Sequence, residues 1–264
     1  MKLHLTSAIA ILSLCACTGA DNNSSTSQEE ALMDSIKEGL VDIPMKELTV
    51  GNKTYNVADL DDSAYIYNDK ADKDKCLFVI SKKEFRLYVY ECSKEDTTLV
   101  AHFPVCYARY PEAKEKSGDM RTPESSMDAP FKISQIQPAS DWCHDFGDGR
   151  GSIKSYGDWF LRLETPGFSG VGIHGSTNNE ASVPGRDSEG CIRLRDKDLI
   201  DLHDKFAKVG MPVVIKSATE GTLDVELHAE EALNEKYHAL KLGNPRLSNE
   251  AQEVLPNNVI PREE

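Results

Sequence analysis

From Lys75 to Ser217 the chain is a succession of short apolar or alternating runs, each closed by turn residues, a pattern that strands satisfy and long helices do not. Cys76 to Ile80 and Phe85 to Tyr90 flank the turn Ser81, Lys82, Lys83, Glu84 and predict a hairpin. In its second arm Phe85, Leu87 and Val89 share one face and Arg86, Tyr88 and Tyr90 the other. Further strands are expected at 99–107, 131–136, 159–163, 171–174 and 212–216, which makes the domain mainly β. One helix interrupts it, with Asp196 as expected N-cap, Leu199, Leu202 and Phe206 as its buried stripe, and Gly210 with Pro212 as its stop.

The ends read differently. Lys2, an apolar run from Ile9 to Leu14, and then Leu14, Cys15, Ala16, Cys17 predict an export signal ending in a lipobox, residues 1–17, with Cys17 carrying the acyl chains. The run is too short for a permanent span, which takes roughly 20 apolar residues. Residues 18–74 form an expected tether and lead-in: a polar stretch to about Glu29, a helix with Leu32, Ile36 and Leu40 on one face, and an aspartate-rich stretch from Asp59 to Asp72. The main domain is expected at 75–217. Residues 218–264 form an acidic extension, with a helix carrying Leu233, Tyr237 and Leu240 and stopped by Gly243 and Pro245.

A net charge of −14 argues against nucleic acid, and against an anionic lipid surface, as partner. Of seven cysteines, removal of Cys15 with the signal and acylation of Cys17 leave five: Cys76, Cys92, Cys106, Cys143 and Cys191. In an oxidising compartment the first four either form disulfides, Cys76 with Cys92 across the hairpin among them, or are plain buried thiols. Cys191 is then the unpaired one.

Cys191 stands in Ser188, Glu189, Gly190, Cys191, Ile192, Arg193, downstream of His174, Gly175, Ser176. A thiol becomes a strong nucleophile when a base takes its proton, and glycines beside both side chains permit the turns that expose them. The pattern resembles the signature of the L,D-transpeptidase catalytic domain family (YkuD-type), matched by His174, Gly175, Ser188, Gly190, Cys191, Ile192 and Arg193. A second resemblance lies in Gly118, Asp119, Met120, Arg121, Thr122, Pro123, Glu124, the family's cleft-lining turn before a strand, with Ser125 where the family usually has glycine. The resemblance covers about 75–217 and implies an L,D-transpeptidase-type, β-sandwich-like fold with an N-terminal lead-in and a C-terminal helical extension.

By that resemblance the substrate is a peptidoglycan stem peptide with an L-centre diamino acid at its third residue, followed by D-alanine. His174 deprotonates Cys191, the thiolate attacks the carbonyl, and the imidazolium protonates the leaving amine. In the family a backbone carbonyl just after the histidine orients the ring, which here implies Gly175 or Ser176. The amides of Gly190 and Cys191 are the expected oxyanion donors, worth roughly 3 kcal/mol each. Arg193 either grips a substrate carboxylate or pairs with a domain aspartate; Ser188 orients the loop or touches substrate. Glu189 stands where the family often has histidine or another basic or polar residue; a carboxylate beside the thiol raises its pKa, an effect that is small if the side chain points into solvent, and facing the cleft it engages the cationic amine of a substrate.

Residues 142–151, with Trp142, Cys143, His144 and Asp145, lack the spacing of a zinc or calcium site and read as a glycine-rich cleft loop. No metal and no cofactor is expected. An amine acceptor makes the protein a cross-linking transferase of the cell envelope, lipid-anchored and facing the periplasm. Water as acceptor makes it an L,D-carboxypeptidase or related hydrolase, and a silent site makes it a wall-binding lipoprotein.

Overall fold

Gly51 and Asn52 sit between two runs that alternate apolar with polar, and a glycine at φ 60° is what a two-residue hairpin turn needs at its first position. In the computed structural model, which describes residues 43–94 and 96–229, that turn joins β1 (Met45–Val50) to β2 (Lys53–Ala58). The lead-in is therefore a hairpin where it is described. The helix expected around Leu32, Ile36 and Leu40 lies outside the described residues.

The strands β3 (Tyr65–Ile66), β4 (Cys76–Ser81), β5 (Arg86–Cys92), β6 (Thr97–Pro104) and β7 (Cys106–Ala108) follow. The β4–β5 hairpin forms as the pattern predicts, except that Phe85 belongs to the turn, at φ 55°, and β5 starts one residue later. The single strand expected over 99–107 is two, because Val105 leaves the ladder and donates its N–H to the Phe85 carbonyl (2.8 Å).

The second half contains β8 (Phe131–Pro138), a small hairpin of β9 (Cys143–Asp145) and β10 (Ser152–Lys154), then β11 (Trp159–Glu164) and β12 (Gly172–His174). After these come β13 (Gly185–Ser188), β14 (Ile192–Arg193), helix α1 (Asp196–Lys205) and β15 (Pro212–Lys216).

Thirteen strands run in the order β1-β2-β13-β7-β14-β12-β11-β8-β15-β4-β5-β6-β3. Ala58 near one end of that order and Ala101 and Phe103 near the other belong to one buried cluster, so the sheet wraps round a common core in the manner of a sandwich. Helix α1 closes it with Leu199, Leu202 and Phe206, all fully buried. Burial of each such side chain contributes roughly 1.5–3 kcal/mol.

Strand β4 reads Cys-Leu-Phe-Val-Ile-Ser because both of its faces are covered. Phe78 and Ile80 enter the main core, while Leu77 and Val79 join Tyr88, Tyr90 and Val214 in a second cluster. Val225 and Ala229, on a helical turn at 224–229, cover that outer face. The helix expected around Leu233, Tyr237 and Leu240 lies outside the described residues, as does Cys17. Among the described residues no helix is long and apolar enough to cross a membrane.

The five described cysteines are free thiols. The bridge considered between Cys76 and Cys92 does not form, because Cys76 points into the main core and Cys92 packs on the outer cluster, across the sheet. Burial pushes the Cys76 thiol up to about 12, which keeps it protonated and inert.

Candidate active site

Strand β12 ends at His174 and pairs in parallel with β14, Ile173 opposite Ile192 and His174 opposite Arg193. Side chains alternate along strands, so Ile173 and Ile192 point into the core while His174, Arg193 and Cys191 share the other face. Cys191 lies two residues before Arg193, the strand partner of His174. The thiol of Cys191 donates to the Gly170 carbonyl (3.4 Å), and its sulfur also receives the Gly172 N–H.

The imidazole is held in one tautomer. A carbonyl only accepts, so the 2.7 Å contact between His174 Nδ1 and Gly175 O places the proton on Nδ1 and leaves Nε2 with its lone pair. The ring lies between Tyr156, 4.7 Å between centroids, and Phe160, stacked at 5.6 Å. Burial, and next the Arg193 charge, hold His174 down to about 3. Burial also raises the Cys191 thiol, opposed by the Gly172 amide and Arg193. The resting pair is thus neutral thiol and neutral imidazole.

Each motif residue has a local reason. A Cβ at Gly175 would lie 2.3 Å from Asp196 Oδ1 and 2.7 Å from the Gly157 backbone, so only glycine fits. Gly190 has φ +148° and would set a Cβ 3.1 Å from the Arg121 carbonyl. That carbonyl belongs to the 118–124 turn, which the buried Lys82 fixes by donating to Thr122 O (2.9 Å), Pro111 O (3.3 Å) and the Glu124 carboxylate (2.7 Å). The turn therefore does line the nucleophile loop.

Several expectations are corrected by the coordinates. Asp196 is not the helix N-cap: Arg195 holds that position, without a side-chain cap bond. The Asp196 carboxylate instead accepts Ser176 N–H (2.7 Å) and Thr177 Oγ1 (2.5 Å), locking the loop that follows His174. Ser188 is buried and shapes the loop, donating to Cys191 O (2.6 Å) and accepting Gly190 N–H (3.2 Å). With the Gly190 amide taken by Ser188, the expected pair of oxyanion donors shrinks to Cys191 N–H, and the amides that follow His174 are occupied too, Gly175 N by Tyr156 O (2.7 Å) and Ser176 N by Asp196.

Arg193 is buried. It donates to Asp187 O (3.3 Å), faces the Asp187 carboxylate at 3.8 Å and lies over the Phe146 ring, so of its two expected roles the structure adopts the pairing with a domain aspartate. Glu189 reaches His144 (3.2 Å) across the groove and adds to the upward pressure on Cys191. Among the described residues no cluster of three or more His, Cys, Asp and Glu is arranged to hold a metal.

Sequence reasoning missed Tyr156 and Phe160 as walls, Asp196 as loop anchor, and Asp187 as partner of Arg193. Asp187, one residue before Ser188, and Asp196, three after Arg193, flank the recognised motif; Tyr156 and Phe160 reach the site from an earlier stretch of chain.

Fold and site together define a class: a mainly β protein with a thiol and a tautomer-fixed imidazole on one sheet face, in an aromatic-walled groove. Residues 77–215, more than half of the 264, match the family described as the L,D-transpeptidase catalytic domain (YkuD). The chain belongs to that family. No curated protein matches it.

Among solved structures it is similar to Bd1075 of Bdellovibrio bacteriovorus, at 17% identity and a TM-score of 0.41 over 67% of this chain and 61% of that one. It is also similar to the L,D-transpeptidase of Xylanimonas cellulosilytica, at 18% and 0.35 over 53% and 60%. A third is the helical cell shape determining protein Pgp2 of Campylobacter jejuni, at 13% and 0.42 over 76% and 60%. The chain spans about three fifths of the length of each of the three. At scores this low the assignment stands on the family match and the site's own chemistry.

Proposed function

We propose that the protein is a cysteine acyltransferase acting on peptidoglycan stem peptides. The observation that carries this reading is the imidazole with Nδ1 held by Gly175 O and Nε2 free, on the same sheet face as Cys191. Because thiol and imidazole are both neutral at rest, proton transfer and attack occur together. His174 Nε2 takes the thiol proton as sulfur bonds to the carbonyl carbon after the third stem residue. The Cys191 N–H meets the oxyanion.

Collapse breaks the C–N bond, and the imidazolium proton goes to the departing D-alanine amine. The amine of a neighbouring stem then attacks the thioester carbon and the C–S bond breaks, the amine proton passing through His174 to the departing sulfur. This forms a 3-to-3 cross-link.

Two measurements test the reading. A carbapenem should add its mass to the intact protein, and Cys191→Ala should remove that adduct; a wild-type thiol that never acylates would favour the silent wall-binding lipoprotein. Incubation with stem tetrapeptides should give cross-linked dimers, whereas trimmed monomers alone would make it a carboxypeptidase. We further propose an envelope protein anchored through Cys17 and facing the periplasm, checked by metabolic labelling with an alkynyl fatty acid that Cys17→Ser should abolish.

A further inference from the structure

Strand β2 lies outside the residues that match the family, yet it is hydrogen-bonded to β13, the strand that runs into Ser188 and the nucleophile loop. Its Lys53 is largely buried and aims Nζ at Asp187 Oδ2 (3.4 Å), with Asp148 Oδ2 at 3.8 Å. The same Asp187 oxygen faces Arg193 Nη1 at 3.8 Å, and Arg109 approaches the other oxygen at 3.8 Å. One carboxylate is therefore shared among three cations, and the only one of them on the strand facing His174 is Arg193.

We propose that Lys53 is a positioning residue of the catalytic centre: by occupying Asp187, it keeps the Arg193 charge from being cancelled and leaves it directed at Cys191. The inference rests on the acyltransfer reading of that site. Charge at Arg193 favours the thiolate, because opposite charges attract more strongly through protein than through water. Asp187 alone on Arg193 would screen much of that.

The other groups facing Cys191 are Arg162 from β11, which acts in the same sense as Arg193, and Glu189 from its own loop, which opposes them. Tyr156, from the loop before β11, also faces the thiol and packs on His174. None of these touches Lys53, so removing Lys53 acts on the thiol through Asp187 and directly, and both effects have one sign. Loss of a cation, and release of Asp187 onto Arg193, each disfavour the thiolate.

The test is the pH-rate profile of Cys191 alkylation by iodoacetamide in the full chain, read on the Cys191 peptide by mass spectrometry so that exposed Cys143 does not contribute. Lys53→Met should raise the apparent thiol pKa by about half a unit and slow alkylation at neutral pH ~threefold. Lys53→Arg should restore the wild-type profile, and Asp187→Asn should shift it downward. Lys46→Met removes a cation from the same hairpin at an exposed pair with Asp59, and should leave the profile where it is.

Identical profiles for wild type and Lys53→Met, or an equal shift in Lys46→Met, would overturn the proposal. A merely structural role for Lys53 would lower Tm without moving the profile. Failure of the acyltransfer reading is seen separately, as wild-type protein that carbapenem does not label.

Discussion

His174 is buried neutral, and that has a pH signature. Its folded value of about 3 lies below the ordinary 6.5, so between those values the unfolded chain binds a proton that the native one refuses. The stability this neutrality contributes is present above about pH 6.5 and lost as pH falls towards 3. His174→Gln should therefore lose Tm less steeply than wild type over that window, in a series of thermal melts, while its acylation rate at pH 7 falls ~100-fold or more. Gly190 is the second residue with a sharp expectation. Its φ of +148° and the nearby Arg121 carbonyl mean that Gly190→Ala should cost about 1–3 kcal/mol in urea unfolding and slow acylation with it. Both residues were legible in the sequence, since histidine, glycine and cysteine in that spacing announce their chemistry. The tautomer was legible only through family resemblance, because a backbone carbonyl leaves no mark in a string of side chains.

At the level of elements, α1 does more than bury its apolar stripe. Its first residue, Asp196, ties the 175–177 loop to the helix, and the fit of Gly175 against that carboxylate explains why the histidine is followed by glycine. Asp196→Ala removes the acceptor of two donors and should cost about 1–3 kcal/mol, with a drop in acylation larger than that of the exposed control Asp204→Ala in a parallel assay. The sequence pattern found this helix and its stripe, because a 3.6-residue period is local. It misread Asp196 as a cap, because the residues that occupy its carboxylate, Ser176 and Thr177, are brought there by β12 rather than by the helix. The strands most visible in sequence were those buried on a face. The β1–β2 hairpin was overlooked although Gly51 and Asn52 are a recognised turn pair, since Leu48 and Val50 beside it remain exposed and give no core signal.

Across the whole molecule, the outer face of the β4–β5–β15 region depends on the chain beyond the family domain. Glu226 is pushed up by burial and held by Lys216 (2.7 Å), both largely enclosed. Lys216→Met would leave that carboxylate buried and unpaired, a change that typically costs 3–5 kcal/mol. Limited proteolysis should then cut after Ser217 sooner than in wild type, and Glu226→Gln added to Lys216→Met should recover most of the protection.

The sequence by itself determined a mainly β domain, one helix and the family motif that holds His174 and Cys191, because strand alternation, helical period and motif spacing are each written in short stretches of chain. Only the tertiary structure decided which amides stay open for an oxyanion, that Arg193 answers to Asp187, and that Lys53 from a distant hairpin joins them. Those depend on which strands lie side by side in a thirteen-stranded sheet. That order is settled by the burial of the whole core, not by any local run of residues.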